Sequence, residues 1–272
     1  MKATPEIDRK AYELAREFLL NIPGVTEIII EKYQNLPSFR PKPSTKNELY
    51  RDLLESAQNA NMKTKVVGEA IGGVDKLALI SNDFDPEYIL KSYASKWDVL
   101  DQIVQKLNPR GKIRRTQRSI WPRYCQTILS AAEFIDRFDS ADEFFEWVDC
   151  FDRDDRSRAC LPMLLDHEIE GFGFALSCNF LKELGYVNFP KPDVHLRDIF
   201  TALALCDDGI DDYKLFKAII RVARNAKVTP YALDKIFWLI GSGNFYDDPS
   251  IGLIGRRQED FVEFARINMA RL

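Results

Sequence analysis

Apolar residues recur at helical spacing along most of the chain. Residues 5–21 carry an amphipathic pattern that begins at Pro5 and is followed by Pro23-Gly24, which predicts a helix. Residues 26–30 fit either a strand or the start of another helix. Similar patterns predict helices near 46–60, from Pro86 to about Leu107, over 121–138, over 212–224, from Pro230 to Gly241 and over about 256–270. The predicted fold class is therefore all-α, or mostly so.

The most informative stretch is residues 161–185. Two short apolar helices are predicted there, separated only by Glu170-Gly171-Phe172-Gly173. So short a turn requires glycine, because a Cβ would block the backbone conformations it needs. The second helix then starts with N–H groups that no preceding turn can bond. Together with the helix dipole, they favour a bound phosphate at this turn.

A second motif follows the hairpin. Phe189-Pro190-Lys191-Pro192 leads into Asp193-Val194-His195, which places Asp193 at or near the start of a new helix. An aspartate there can simply cap the helix, and the spacing alone favours that interpretation. His195 is expected to be a structural hydrogen-bond partner and His167 a helix-surface residue, since neither fits a catalytic triad or a metal pattern.

The hairpin and the Pro192-Asp193-Val194-His195 segment together resemble the helix-hairpin-helix DNA glycosylases, the superfamily of endonuclease III, the adenine glycosylases and the 8-oxoguanine glycosylases. In that family a glycine-hydrophobic-glycine hairpin precedes a catalytic aspartate. The resemblance implies a two-lobed helical fold acting on double-stranded DNA that carries a damaged or modified base. It also implies that Asp193 is catalytic and that Gly171, Phe172 and Gly173 contact DNA.

Two departures from the family refine this expectation. Members that also cut the strand carry a lysine two residues after the second glycine, where this chain has Ala175. The resemblance therefore implies a monofunctional enzyme in which Asp193 assists attack by water and an abasic site remains. The closely spaced cysteines of the iron–sulfur branch are missing, so no cluster is expected.

Ile128-Leu129-Ser130-Ala131 is similar to the segment that opens the helical domain of endonuclease III relatives.

Two alternatives remain open. The fold could serve as a non-catalytic module that recognises damaged or modified DNA, with Asp193 acting only as a helix cap. A helical interaction protein without a nucleic-acid role is the third candidate, because the net charge of −4 is unlike that of a generally basic nucleic-acid binder.

Positive charge is nevertheless concentrated in residues 108–118. This segment contains several basic residues and no acid, and Pro109 and Gly111 place it in a loop from which side chains can reach phosphates. A solvated loop is an equally good interpretation. The candidate DNA contacts here are Arg114 and Arg115, and Lys191 of the Pro-Lys-Pro segment is expected to point to phosphate as well.

Flat aromatic side chains are the candidates for holding a base turned out of the duplex, because such a base needs apolar faces on both sides. Trp121, Tyr124 and Trp238 are selected for this base pocket, although a core position is the more common role of each type. Asp234 is interpreted as part of an exposed helix face rather than as a second catalytic acid.

The remaining composition limits cofactors and location. The five cysteines show no metal-ligand spacing and are expected to be free thiols. No cofactor is expected, apart from a monovalent or divalent cation that the hairpin turn could hold, and no metal site is predicted. The charged N-terminus and the lack of a long apolar run predict a cytoplasmic monomer without a membrane partner.

The sequence divides into three consecutive regions on this basis. They are an N-terminal helical region over 1–118 that ends in the basic loop, a helical domain with the hairpin over 119–190, and a C-terminal helical lobe over 191–272.

Overall fold

The computed structural model describes residues 4–35, 41–58 and 64–270 of the chain. Within these ranges the chain is almost entirely helical, which confirms the predicted fold class. The strands found there are β1 (Asn244–Phe245) and β2 (Gly252–Leu253), which pair antiparallel. The helices are α1 (Pro5–Leu20), α2 (Glu27–Asn35), α3 (Lys46–Gln58), α4 (Thr64–Ile71), α5 (Ala78–Ser81), α6 (Pro86–Ser92), α7 (Lys96–Leu107), α8 (Ile120–Asp136), α9 (Ala141–Asp152), α10 (Cys160–Glu168), α11 (Phe174–Glu183), α12 (Val194–Ala202), α13 (Asp212–Ala226), α14 (Pro230–Ser242) and α15 (Gln258–Met269).

The described residues form two compact units. The terminal unit combines α1 and α2 with the chain from Leu181 onward, and the central unit consists of the described residues between Pro41 and Phe180. This grouping differs from the three consecutive regions predicted from the sequence. The reason is that α1 packs mainly against α13 and α15, which lie far along the chain.

The core of the terminal unit surrounds α14, which is buried on nearly every face. Helices α1, α2, α12 and α13 pack against it. Phe237 of α14 meets Phe200 and Phe261 edge to face, with ring centroids 5.3 Å and 6.0 Å away. Burial of each such side chain contributes roughly 1.5–3 kcal/mol. Thr229 caps α14 by accepting a hydrogen bond from the Ala232 N–H at 3.1 Å, as its Thr-Pro start indicates.

The central unit is organised around α8 in the same way. Helices α3, α6 and α7 all pack against α8, and most of its residues are buried. The hydroxyl of the fully buried Tyr50 on α3 donates to the carbonyl of Ile128 at 2.7 Å. This bond satisfies a polar group inside the core and fixes the two helices against each other.

Two local predictions are refined by tertiary contacts. Residues 27–30 belong to the helix α2, and the hydroxyl of Thr26, which precedes the helix, accepts from the Ile29 N–H at 3.4 Å. The single helix predicted from Pro86 to about Leu107 is two helices, α6 and α7. Tyr93 leaves the helical conformation between them, and its hydroxyl donates to the carbonyl of Ile80 at 2.7 Å.

Candidate active site

The predicted hairpin connects α10 to α11 in the central unit. Its backbone is fastened to α8 by two hydroxyl groups. The Thr127 hydroxyl donates to the Glu170 carbonyl at 2.6 Å, and the Glu170 N–H donates to the Ser130 hydroxyl at 3.0 Å. Ser130 belongs to the Ile-Leu-Ser-Ala segment selected from the sequence, so that segment holds the hairpin in place.

The two hairpin glycines differ in what they require. Gly171 has a φ of +80°, and a Cβ there would lie 3.0 Å from the Thr127 hydroxyl oxygen. Gly173 has neither constraint, and a Cβ there would meet nothing within 4 Å. Both glycines are exposed, and within the described chain their N–H groups have no hydrogen-bond partner. These two N–H groups are therefore available to a phosphate.

Phe172, between the glycines, belongs to the core rather than to a binding surface. Its side chain is fully buried, and its ring lies edge-on to Phe180 with centroids 5.9 Å apart. Its N–H already donates to the Ile169 carbonyl at 3.1 Å. The Phe172 side chain thus anchors the turn in the core rather than pointing toward DNA, because an apolar side chain at the tip of the turn gains more by burial.

A small cavity of about 20 Å³ lies beside Gly171 in the central unit. Arg123 and Tyr124 from the first turns of α8 also line it. Ile120, which also lines the cavity, lies two residues after the end of the basic segment 108–118. Arg114 and Arg115 are exposed, and Arg115 is paired with Asp101 at 2.6 Å.

Asp193 caps α12 in the terminal unit, and it does so with one oxygen. Its Oδ1 accepts from the N–H groups of His195 and Leu196 at 2.9 Å and 3.2 Å. Its Oδ2 accepts no hydrogen bond from any described residue. Burial and the nearby Asp234 raise the pKa of the Asp193 carboxyl, while Lys191 opposes this shift. One oxygen of this carboxylate therefore has a structural role, and the other is left without a partner among the described residues.

Asp234 lies inside this site, contrary to the exposed position expected from the sequence. Its side chain is 1% exposed, and its Oδ2 accepts from the Lys182 ammonium at 2.9 Å and from the Lys191 N–H at 2.8 Å. Its Oδ1 is buried and has no partner among the described residues. Asp234 is buried because α14 is apolar on every side and has no solvent-facing stripe to carry a charge.

Lys235 follows Asp234 and is buried in an aromatic surrounding. Its Nζ lies 5.0 Å, 5.2 Å and 5.7 Å from the ring centroids of Trp238, Tyr246 and Tyr231. It donates to the Tyr246 hydroxyl at 3.1 Å, and within the described chain it forms no ion pair with a carboxylate. Burial, and then the charge of Lys182, lower the pKa of the Lys235 ammonium to about 8.

The sequence matches no protein-family model and no curated protein. The structure is similar to that of the 8-oxoguanine glycosylase/lyase of Methanocaldococcus jannaschii in complex with a 15mer DNA containing 8-oxoguanine. The TM-score is 0.53 and the identity 15%, over 86% of this chain and 97% of that chain. The chain has the fold of the 8-oxoguanine DNA glycosylases. The enzyme of Thermotoga maritima is also similar, with a TM-score of 0.49 and 13% identity over 89% and 99% of the two chains.

The resemblance drawn from the hairpin and the aspartate segment is thus confirmed for the glycosylase fold. The terminal unit places Asp193, on which that resemblance depended, among other charged residues. Asp193 and Lys191 lie in one partly buried cluster with Asp234 and Lys182. Lys191 is less exposed than its Pro-Lys-Pro setting suggested, and burial lowers the pKa of its ammonium.

The aromatic residues selected for a base pocket have different positions within the glycosylase fold. Trp121 and Tyr124 are 3% and 4% exposed and belong to the core of the central unit, so neither presents a free face for stacking. The Tyr124 hydroxyl donates to the Leu54 carbonyl at 3.2 Å. Trp238 is half-buried beside Lys235 and stays a candidate for the base pocket.

The two histidines lie in different environments, and a side-chain hydrogen bond of His195 stays a prediction. His195 is buried against Gly241 of α14, where a Cβ would lie 2.5 Å from the His195 Cβ. Burial lowers the pKa of its imidazole, so the neutral form is favoured at this helix contact. His167 is exposed on α10.

Lys182, Asp234 and Lys235 are the residues that sequence analysis missed as parts of this cluster. A signal was present, because two adjacent charges in a helix that is otherwise apolar on all faces must be buried together. Lys182 offered no such signal.

No group of side chains that could hold a metal ion occurs in the described ranges, and no helix there is long and apolar enough to span a membrane. A cation at the hairpin turn stays a prediction.

Proposed function

We propose that this protein is a DNA glycosylase that hydrolyses the bond between a damaged or modified base and its sugar, leaving an abasic site. The observation that carries the proposal is the divided carboxylate of Asp193. Its Oδ1 is fixed by two backbone N–H groups, and its Oδ2 has no partner among the described residues. A carboxylate held by its helix and open on one side has the geometry of a positioned catalytic group.

Hydrolysis of a base–sugar bond requires a positioned carboxylate of this kind. Cleavage of a base–sugar bond develops positive charge on the sugar, and a fixed carboxylate beside the anomeric carbon stabilises it. The same oxygen can accept a proton from the attacking water. Burial keeps the pKa of Asp193 above its ordinary value and brings it nearer to the working pH of a general base, while Lys191 favours the charged form.

Water is the proposed nucleophile. Attack by an amine requires a neutral lysine within reach of the sugar, and Ala175 cannot supply one. Lys182 is bound to Asp234, which raises the pKa of its ammonium against the effect of burial. It therefore stays protonated and is a poor nucleophile. The product should be an intact strand that breaks at the abasic site only after treatment with alkali or heat.

DNA binding is assigned to the exposed N–H groups of Gly171 and Gly173, with Arg114 and Arg115 adding positive charge. The backbone groups would hold a phosphate, and the arginines would attract the duplex through its charge. The fold it shares with a DNA-bound glycosylase/lyase supports DNA as the partner.

The test is a panel of duplexes, each with one modified base, read by release of the free base and by strand cleavage with and without alkali. The panel should include oxidised, deaminated, alkylated and hypermodified bases. We expect release of at least one base, alkali-dependent cleavage and no covalent adduct after borohydride treatment. An adduct trapped by borohydride would overturn the choice of water as nucleophile. Binding to abasic-site duplex without release of any base would favour the non-catalytic DNA-binding module.

A further inference from the structure

Lys235 occupies a position that needs an explanation beyond packing. The residue is 8% exposed, yet its ammonium forms no ion pair within the described chain, and Tyr246 supplies its one hydrogen bond there. Taking a charge out of water is costly unless other groups compensate. Attraction to the three surrounding rings offsets part of that cost. A buried cation with incomplete compensation is a common feature of functional sites.

The free bonding capacity of this ammonium defines what it could bind. Lysine has three N–H donors and no acceptor, and one donor is directed to the Tyr246 hydroxyl. Trp238 is half-buried and Tyr246 is 50% exposed, so the cluster is aromatic where it meets solvent. A ligand that fits is flat and carries an acceptor atom at its edge. A nucleobase has both properties.

We propose that Lys235 is the general acid that protonates the base as it leaves. This inference rests on the proposed function, and it assigns the second half of the same reaction. When the bond between the anomeric carbon and the base nitrogen breaks, its electron pair moves to the base, and an Nζ proton of Lys235 transfers to that base. Water forms the new bond to the anomeric carbon and gives a proton to Asp193. Solvent then returns a proton to Lys235 and removes one from Asp193, so no further reactant is needed.

The charges around Lys235 suit an acid that works near neutral pH. Burial is the main factor that lowers its pKa, and the cations Lys182 and Lys191 lower it further. The carboxylates Asp234 and Glu183 oppose the shift. The phenols facing the ammonium are Tyr231 and Tyr246, and burial raises the pKa of the Tyr231 hydroxyl. With a pKa of about 8, about nine-tenths of the Lys235 side chains would carry a proton at pH 7. General acids work best in this range.

Lys182 cannot take this role, because its proton is held by Asp234. The Lys182 ammonium donates to Asp234 Oδ2 at 2.9 Å, and this partner raises the pKa of Lys182 against the effect of burial. The two lysines therefore differ in function. Lys182 neutralises a buried carboxylate, while Lys235 has a proton to give.

The test is a single-turnover measurement of base release across pH 6 to 10, on the duplexes whose base the wild-type protein releases. Lys235→Met keeps the bulk of the side chain and removes the proton. Lys235→Arg keeps the charge and the donors, but it does not give up a proton in this range. Lys214→Met, at an exposed position on α13, is the matched control. Binding to a duplex with a tetrahydrofuran abasic analogue, together with thermal unfolding, reports whether each variant is folded.

We expect wild-type release to fall above about pH 8 and both Lys235 variants to be slower by about 100-fold or more, the usual effect of a general acid. Lys214→Met should match the wild type. Tyr246→Phe removes the hydrogen-bond partner of the ammonium, so the alkaline fall in rate should move to lower pH. Because Tyr246 is half exposed, Tyr246→Phe should fold, and its pH dependence tests the proposal even if a Lys235 variant does not fold.

Three results would overturn the assignment and leave the proposed function intact. They are a Lys235→Arg variant as fast as the wild type, a wild-type rate that does not fall at alkaline pH, and release restricted to alkylated bases that already carry positive charge and need no proton. Failure of the wild type to release any base would instead overturn the proposed function.

Discussion

At the residue scale, Asp193 has two roles to separate, the helix cap that the structure shows and the catalytic role that we propose. Its helix-capping oxygen and its open oxygen are separate atoms, so the two roles can be tested separately. Asparagine caps helices as well as aspartate but carries no charge. Asp193→Asn should therefore reduce base release by at least about 100-fold, while thermal stability and affinity for abasic-site duplex change little.

Asp211→Asn is the matched control for that change. Asp211 caps α13 in the same unit, and its Oδ1 accepts from the Lys214 N–H at 2.7 Å. The same chemical change at this second cap should leave base release at the wild-type level. Full activity of Asp193→Asn would remove the aspartate from the mechanism, and equal loss in both variants would indicate an effect of capping alone.

The Lys182–Asp234 pair concerns stability. The two side chains are 10% and 1% exposed, so removing one partner leaves a buried charge without compensation. Asp234→Ala should lower the free energy of unfolding by about 3 kcal/mol, whereas the double variant Lys182→Met/Asp234→Ala should recover much of that loss. Urea denaturation of the four proteins in this cycle measures the coupling.

The exposed pair Arg9–Glu13 supplies the comparison, since its side chains are 58% and 53% exposed. The same cycle there should give a coupling of about 0.5 kcal/mol or less. A coupling at Lys182–Asp234 as small as that of the exposed pair would contradict the assigned burial.

At the element scale, the hairpin glycines offer a clean test of backbone contact with DNA. A Cβ at the exposed Gly173 would meet no other residue, so Gly173→Val should fold normally and obstruct only a ligand that approaches the backbone. We expect affinity to fall about equally for duplexes with and without a lesion, by about 10-fold for the loss of one such contact.

Gly209 is the control, because it is also exposed and a Cβ there would also meet nothing within 4 Å. Its φ of +68° suits asparagine, so the variant to compare is Gly209→Asn. Fluorescence polarisation with labelled duplexes gives both affinities. Unchanged binding by a folded Gly173→Val protein would exclude the hairpin backbone as a contact.

The elements also show how far the sequence alone could lead. Helices with both an apolar face and a cap were predictable, as at Thr229-Pro230, because the local signals agree with the final structure. The break at Tyr93 was not, because it depends on a bond to the Ile80 carbonyl in another helix. Within the site, Asp193 could be predicted from its sequence motif. Lys182 was not, because its partner lies on a different helix and spacing along the chain gives no hint of that.

At the scale of the whole molecule, charge is unevenly distributed. Residues 96–123 contain eight basic and two acidic side chains, whereas the chain as a whole has a net charge of −4. If the basic segment 108–118 contacts phosphates, replacing Arg114 and Arg115 by glutamine should reduce the slope of the logarithm of the DNA-binding constant against the logarithm of salt concentration by about 2. Lesion preference should not change, because phosphate contacts carry no sequence information.

The matched control replaces Lys214 and Lys227 by glutamine, since both are exposed and belong to the other unit. Titration of DNA at several salt concentrations yields the slope for each protein. An equal reduction in both double variants would point to net charge rather than to a binding surface formed by the basic segment.

The terminal unit combines segments that precede and follow the central unit, and this affects how the protein can be made. During synthesis α1 and α2 leave the ribosome before the central unit, whereas α13 and α15, which cover α1, are translated after it. The residues of the central unit are complete long before then. The nascent chain must therefore carry α1 without α13 and α15 while the central unit is translated, and a chain that terminates within the central unit would lack both these partners of α1 and the candidate site.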